Sequence, residues 1–74
     1  MNIKHLRSFV VLAEPLHFGQ AAKRLHMTQP PLSRQISALE DALGVTLFER
    51  HSRSVVLTAA GENFRHNARR LLED

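Results

Sequence analysis

The chain has 74 residues, a length that supports one small domain with a limited core. It contains no cysteine, which excludes disulfides, cysteine-based zinc sites and thiol nucleophiles. No apolar run approaches the roughly 18 residues of a membrane span, and the opening residues lack the apolar stretch of a signal peptide. We therefore expect a cytoplasmic domain without a membrane partner.

The distribution of charge along the chain is more informative than the net charge of +3. Residues 1–39 carry five Lys or Arg against Glu14 alone, a net charge of +4, whereas residues 40–74 carry a net charge of −1. A polyanion would be attracted to the first half. Chance segregation of solubilising charges is the alternative, and composition leaves both open.

Two short helices are predicted in the first 25 residues. Residues 3–14 place apolar side chains at spacings of three and four: Ile3, Leu6, Phe9, Val10 and Ala13. Asn2 is a suitable N-cap for this helix, which should end before Pro15. Residues 18–25 predict a second helix, whose inward side chains are Phe18, Ala21, Ala22 and Leu25.

A third helix is predicted over residues 29–43. Its apolar side chains follow spacings of four, three and four: Leu32, Ile36, Leu39 and Leu43. Thr28 occupies the N-cap position and Gly44 is a typical C-terminal stop. Two prolines stand at the second and third helical positions, so the amides that a threonine cap usually binds are absent.

The start of this third helix is therefore rigid but poor in backbone donors. If an anion binds the N-terminus of a helix here, the better candidate is the second helix, near His17 and Phe18. Recognition by the third helix must come from its side chains.

The outer face of the third helix has the chemistry that reading a DNA major groove requires. Gln29 can pair with adenine or reach a phosphate, and the Arg34 guanidinium can fork onto guanine. Ser33 lies one turn after Gln29, and Pro30 offers an apolar contact to a thymine methyl. The alternative is that these are ordinary solvated residues of a helix surface.

Residues 45–57 predict a small β-hairpin, because two β-prone runs flank the polar segment His51-Ser52-Arg53-Ser54. We place Arg50 and Arg53 at its tip. Arg53 suits the narrow, negative minor groove of A/T-rich DNA, and Arg50 suits the phosphate backbone or an acidic neighbour. Both could instead be ordinary loop charges.

A last helix follows Thr58, a good N-cap. Its apolar stripe consists of Ala60, Phe64, Ala68, Leu71 and Leu72. The stripe could pack on the first helix. However, the first three helices are expected to close a bundle by themselves, which would leave the stripe exposed. We therefore expect self-association through Phe64, Ala68, Leu71 and Leu72.

The remaining polar residues favour electrostatic contacts over catalysis. Phosphate contacts are expected from Lys4, Arg7, Phe18, Lys23, Arg24, Thr28, Ser37 and Arg50. The five histidines lack a paired ligand spacing, the serines lack a recognisable base and carboxylate, and no Gly-rich phosphate loop is present. We expect no metal site, no cofactor in this domain and no enzymatic activity.

Two segments, AAKRLHMTQPPLSRQISALEDALGVTLFER and LTAAGENF, closely resemble the N-terminal domain of LysR-type transcriptional regulators. The resemblance covers essentially the whole chain. It implies a mainly α-helical winged helix-turn-helix over residues 1–57, a three-helix bundle with a short hairpin wing. Residues 58–74 would be a long linker helix that dimerises and leads to a ligand-sensing regulatory domain absent from this chain.

The resemblance also implies roles for individual residues and partners. The positions matching Gln29, Pro30, Ser33 and Arg34 contact DNA, and the position matching Arg53 reaches the minor groove. Such regulators are typically homotetramers built from dimers and bind pseudo-palindromic operators. The chain departs from related patterns at His26, where simpler helix-turn-helix proteins often have glycine, and at Pro15-Leu16, where small polar residues are common.

The leading hypothesis is a sequence-specific double-stranded DNA-binding domain of a bacterial-type transcription regulator. One alternative is a helical module that binds protein, which would present apolar anchors on the third helix and show little salt dependence. A non-specific architectural DNA binder is a second alternative. It has less support because the chain has no basic tail and no exposed apolar wedge.

Overall fold

The computed structural model describes residues 2–73, which form four helices and one two-stranded antiparallel hairpin. The elements in chain order are α1 Ile3–Ala13, α2 Phe18–Arg24, α3 Gln29–Leu43, β1 Phe48–His51, β2 Ser54–Leu57 and α4 Ala59–Glu73. Helix α1 packs against α2, α3 and α4. The mainly helical winged-helix fold is confirmed. No helix within residues 2–73 combines the length and the apolar content needed to cross a membrane.

Helix α1 lies at the centre of the molecule. The side chain of Asn2 accepts a hydrogen bond from the Lys4 amide at 2.8 Å, which confirms the predicted N-cap. Because three helices surround α1, its buried face is wider than one stripe, and Leu12 is fully buried although the periodicity did not include it. The prediction was wrong for Ile3, which is 60% exposed at the start of the helix.

The connections on either side of α2 are tight because two side-chain-bearing residues adopt left-handed backbone conformations. Leu16 has φ +51 and His26 has φ +56. A left-handed residue other than glycine costs on the order of 1 kcal/mol, so the surrounding contacts hold it in place. The Met27 amide donates to the Ala22 carbonyl at 2.9 Å and closes the turn between α2 and α3.

Helix α3 has the predicted limits. Thr28 is its N-cap residue and forms no side-chain capping hydrogen bond, as the two following prolines led us to expect. Gly44 ends the helix with φ +70, in the left-handed region that favours glycine, and its amide donates to the Glu40 carbonyl. The inward side chains Leu32, Ile36 and Leu39 are at most 1% exposed.

The hairpin pairs Phe48 with Leu57 at its base and His51 with Ser54 at its tip, so a two-residue turn of Ser52 and Arg53 joins the strands. Arg50 pairs with Val55 within the ladder. The placement of Arg50 at the tip was therefore wrong, because the turn is shorter than the polar cluster in the sequence suggested.

A carboxylate fixes the approach of the chain to β1. Glu40 Oε2 accepts hydrogen bonds from the amides of Leu47 and Phe48 at 2.7 and 3.2 Å. Leu47 is fully buried and Phe48 is 4% exposed, so their amides would otherwise lack water. Glu40 thus ties the C-terminal part of α3 to the start of the hairpin.

The start of α4 is anchored to the segment before β1. Thr58 Oγ1 accepts from the Gly61 amide at 2.9 Å, which confirms the predicted N-cap, and donates to the Thr46 carbonyl at 2.6 Å. Gly61 lies so close to the Leu47 carbonyl that a Cβ would be 2.2 Å from its oxygen. A glycine is required here by this close backbone approach.

Helix α4 packs along α1 and completes the core. The rings of Phe64 and Phe9 meet edge to face with centroids 5.1 Å apart, and Leu72 also packs against the core. Ala68 has no exposed surface, so its prediction as a residue of a dimer interface was wrong. The premise that the first three helices close a bundle alone was wrong as well, since α4 covers α1. Leu71, which is 55% exposed, remains available to a partner.

Candidate nucleic-acid interface

The first two and a half turns of α3 present a mainly polar surface, the recognition face, which comprises Gln29, Pro30, Ser33, Arg34 and Ser37. All are exposed except Ser33, which is half-buried. Helical spacing places residues three and four apart on the same side, so these side chains form one strip beside the buried face of Leu32, Ile36 and Leu39. The structure thus brings the four predicted α3 base contacts together.

Arg50 joins the hairpin to the recognition face. Its guanidinium carbon lies 4.4 Å from the centroid of the Phe18 ring, and its Nη1 donates to Ser33 Oγ at 3.0 Å. A cation over an aromatic face is attracted by the ring quadrupole. One side chain of β1 therefore contacts the first residue of α2 and the second turn of α3.

A groove of about 280 Å³ opens beside this contact. Its walls combine apolar and polar side chains: Phe18, Gln29, Pro30, Ser33 and Arg50. The edge of a base in the major groove presents the same combination, a methyl group or ring carbon beside hydrogen-bonding atoms. The groove therefore has the lining chemistry that a base edge requires.

The turn of the hairpin lies beside the start of α2. Arg53 is exposed, and a second groove of about 320 Å³ separates the turn from the segment before α2. Its lining includes Leu16, His17, Arg53 and Val55. The hairpin thus stands beside the helix pair as a wing, with an arginine at its end.

The N-terminus of α2 is partly capped by a histidine that sequence reasoning did not identify as a cap. His17 Nδ1 accepts from the Gln20 amide at 3.0 Å. The amides of Phe18 and Gly19 also belong to the first turn, where α-helical bonding supplies no acceptor. Because Arg50 covers the Phe18 ring, a phosphate contact by Phe18 would involve its backbone amide.

The other phosphate candidates lie on the surface in two groups. Lys4 and Arg7 are exposed on α1, and neither forms an ion pair within residues 2–73. Lys23 and Arg24 are exposed in the last turn of α2. Arg24 Nη1 lies 3.1 Å from Glu14 Oε2, an exposed pair that a phosphate could replace at little cost.

One buried polar contact behind the recognition face was missed by sequence reasoning. Ser8 is 3% exposed, and its hydroxyl donates to Gln35 Oε1, which links α1 to α3. The signal was present in the sequence, since Ser8 stands beside Phe9 and one turn before Leu12 on the inward side of α1. A hydrogen-bonded serine there fixes α3 against the core.

Comparisons with known proteins identify the same fold and family. The family model described as bacterial regulatory helix-turn-helix protein, lysR family, matches residues 3–62. AlsR of Bacillus subtilis (strain 168), an HTH-type transcriptional regulator, is 57% identical over 72 residues, covering 97% of this chain and 24% of AlsR. XapR of Escherichia coli (strain K12) is 59% identical over 71 residues, with coverage of 96% and 24%. The chain spans about a quarter of the length of these relatives.

Solved structures agree. The crystal structure of the CbnR_DBD-DNA complex superposes with a TM-score of 0.95 at 51% identity, covering 99% of this chain and 84% of that one. The BenM_DBD complex with benA site 1 DNA gives a TM-score of 0.93 at 48% identity, with coverage of 99% and 82%. Full-length CbnR complexed with its target DNA gives 0.94 at 51% identity, with coverage of 99% and 25%. The chain belongs to the LysR family of bacterial regulatory helix-turn-helix proteins.

Proposed function

We propose that this chain binds double-stranded DNA sequence-specifically as the DNA-binding domain of a transcription regulator. The observation that carries the proposal is the recognition face, a strip of amide, hydroxyl and guanidinium groups on the rigid start of α3. A helix fits the major groove, and these groups match the hydrogen-bonding patterns of base edges. The related domains of CbnR and BenM were crystallised with DNA, which supports the proposal.

The side chains divide into base-reading and positioning groups. In the proposed complex, Gln29, Ser33 and Arg34 contact base edges in the major groove, and Pro30 contacts a thymine methyl. Arg53, at the turn of the hairpin, enters the adjacent minor groove. Arginine is favoured there because a narrow minor groove concentrates negative potential.

Phosphate contacts orient the domain on the duplex. We assign them to Ser37 of the recognition face, to the N-terminal turn of α2 and to polar or charged residues exposed on the other elements: Lys4, Arg7, Phe18, Lys23, Arg24, Thr28 and Arg50. Such contacts carry no sequence information and give the salt dependence of binding. The net charge of +4 in residues 1–39 supports this assignment.

We further propose that the domain acts as a dimer held through the exposed side of α4. Leu71 is the residue of the predicted interface that the fold leaves open. Two domains would then present two α3 helices to one face of a pseudo-palindromic operator, ~34 Å or a multiple apart. In the complete protein, which would include a regulatory domain beyond a linker helix, dimers would pair into a tetramer.

The relatives are named as transcriptional regulators, which supports a non-enzymatic role in the cytoplasm. We assign no cofactor to this domain. Any small-molecule effector of the complete protein would bind the regulatory domain.

To test whether α3 reads DNA bases, we compare two variants, one at an arginine and one at a lysine, whose effects on DNA binding should differ. Arg34→Ala should weaken binding to the preferred duplex by ~1–3 kcal/mol and relax the preference at one base pair. Lys23→Ala should weaken preferred and random duplexes alike and reduce the salt slope of binding by about 0.9. Gel-shift titrations at two salt concentrations measure both effects.

The same titrations separate this function from the protein-binding alternative. An unchanged base preference in Arg34→Ala would remove the assigned role of Arg34. Binding that hardly depends on salt for the unaltered chain would favour a module that binds protein. The polar character of the recognition face argues against that alternative, which requires apolar anchors.

A further inference from the structure

The hydrogen bond between the hairpin and the recognition face has a fixed direction. A guanidinium group carries five N–H donors and no acceptor, so the Arg50–Ser33 contact at 3.0 Å requires that Ser33 Oγ accepts. The position of Arg50 over the Phe18 ring, at 4.4 Å, holds this geometry from a second side. Ser33 therefore already accepts a hydrogen bond from Arg50 in the absence of DNA.

This direction leaves the hydroxyl proton of Ser33 free. A serine hydroxyl has one proton and two lone pairs, and Arg50 occupies one lone pair. Among the hydrogen bonds formed within residues 2–73, the Ser33 proton has no acceptor. A hydroxyl that accepts from a cation also becomes a stronger donor, because successive hydrogen bonds polarise one another.

We propose that Arg50 fixes Ser33 as a hydrogen-bond donor towards DNA and so determines base specificity without contacting a base. This inference rests on the proposed DNA-binding function. In the major groove, the acceptors are N7 of either purine, O6 of guanine and O4 of thymine, whereas the exocyclic amines of cytosine and adenine are donors. Ser33 keeps a second lone pair, but an amine that donated to it would lie beside the positive Arg50 guanidinium. Ser33 therefore favours an acceptor over an amine at the edge it faces.

Ser37, one turn further along α3, provides the internal contrast. It is exposed and forms no side-chain hydrogen bond within the described residues, so its hydroxyl can donate or accept. The same holds for the Gln29 amide, which carries both kinds of group. Among the hydroxyl and amide groups of the recognition face, Ser33 alone has its hydrogen-bonding role set by a contact within the described residues, the one with Arg50.

The experiment measures base preference in a double-mutant cycle. The preferred site is first selected from random duplexes by the unaltered chain. Affinities are then measured for duplexes carrying each of the four base pairs at every position of that site. The proteins compared are the unaltered chain, Arg50→Met, Ser33→Ala and the double variant. Methionine keeps an unbranched side chain beside Phe18 but offers no donor.

The unaltered chain should discriminate an acceptor edge from an amine edge at one position by about 2- to 10-fold, the value of one hydrogen bond. Arg50→Met and Ser33→Ala should each abolish this discrimination, and the double variant should show the same preference as Ser33→Ala. The Arg50→Gln variant, whose amide can donate or accept, should bind duplexes with an amine at that position more tightly than the unaltered chain does. It serves as a second variant if Arg50→Met is unstable.

Two exposed residues supply the controls. Arg53→Met removes another hairpin arginine, and Ser37→Ala removes another hydroxyl of the recognition face. Because both residues are assigned DNA contacts, each change should lower overall affinity, but neither should alter the preference at the Ser33 position. Circular dichroism melts of every variant check that the fold is retained.

Three results would overturn the inference. If Arg50→Met weakens all duplexes by one common factor, Arg50 acts only through its assigned phosphate contact and sets no base preference. If Arg50→Met changes base preference as strongly in the Ser33→Ala background, the effect does not pass through Ser33. If the unaltered chain enriches no sequence, the proposed DNA-binding function fails together with this inference. If it enriches a site but Arg50→Met leaves the base preference at that site unchanged, the inference alone is refuted.

Discussion

Replacing Gly61 by alanine tests the packing of α4 against the segment that leads into the wing. The added Cβ would lie 2.2 Å from the Leu47 carbonyl oxygen. An ordinary carbon–oxygen contact is about 3.3 Å, so the backbones must separate by roughly 1 Å. The oxygen cannot easily retreat, because it accepts from the Thr58 amide at 3.0 Å and Leu47 is fully buried.

The expected change in the free energy of unfolding of Gly61→Ala is the balance of two opposing effects. Overpacking of this kind costs about 1–3 kcal/mol, while alanine gains up to about 1 kcal/mol over glycine in a helix. We expect Gly61→Ala to lower the free energy of unfolding by about 1–2 kcal/mol. For a domain of this size, each kcal/mol lowers Tm by roughly 4–8 °C.

Thermal and urea unfolding followed by circular dichroism measure this loss. Asn63→Ala is the matched control, since Asn63 is exposed on the same helix and the change should raise stability by a few tenths of a kcal/mol through helix propensity. A Gly61→Ala variant as stable as Asn63→Ala would refute the close approach of the two backbones.

Three further predictions concern single side chains. Glu40→Ala should lower the free energy of unfolding, measured in urea, by about 2 kcal/mol, because two buried amides lose a charged acceptor. The control Asp41→Ala changes the exposed neighbouring residue and should alter this free energy by no more than about 0.5 kcal/mol. Thr58→Ala should cost about 1–2 kcal/mol but Thr28→Ala little, since a capping bond exists at Thr58 alone of the two; equal losses would contradict the assigned caps. Leu71→Glu should give a monomer by sedimentation and weaken operator binding through lost avidity; a variant that still self-associates would place the interface elsewhere.

The helical part of the fold could be predicted because its signals are local. The spacing of Leu32, Ile36 and Leu39 gives the buried face of α3, and Gly44 gives its end. The unfilled cap at Thr28 followed from the chemistry of proline alone. Each of these predictions depends on residues within a few positions along the chain.

The features that were missed depend on contacts between distant segments. Glu40 bonds amides seven and eight residues later, and Arg50 reaches Phe18 and Ser33 on two other elements. Neither contact has a periodic signature. The packing of α4 was misjudged for the same reason, because the stripe of Phe64 and Ala68 has the same spacing whether it covers α1 or a partner.

The candidate site also has a part that local sequence signals predicted and a part that depends on contacts between distant segments. The exposed positions on α3 followed from helical geometry, so Gln29, Ser33 and Arg34 were identified from the sequence and the structure places them on one strip. The position of Arg50 within the ladder depends on the exact length of the hairpin turn, which the sequence left open. Its contact with Ser33 could be found only from the three-dimensional arrangement.

Selection of bound sites from a random duplex library, by the unaltered chain and by Arg34→Ala in parallel, is the decisive test of DNA reading by α3. We expect an enriched sequence with two related half-sites about one helical turn apart or a multiple of it. The library selected by Arg34→Ala should lose the preference at one base pair of each half-site and keep the others. An unaltered chain that enriches no sequence, or an Arg34→Ala variant that enriches the identical one, would contradict the proposal that this face of α3 reads DNA.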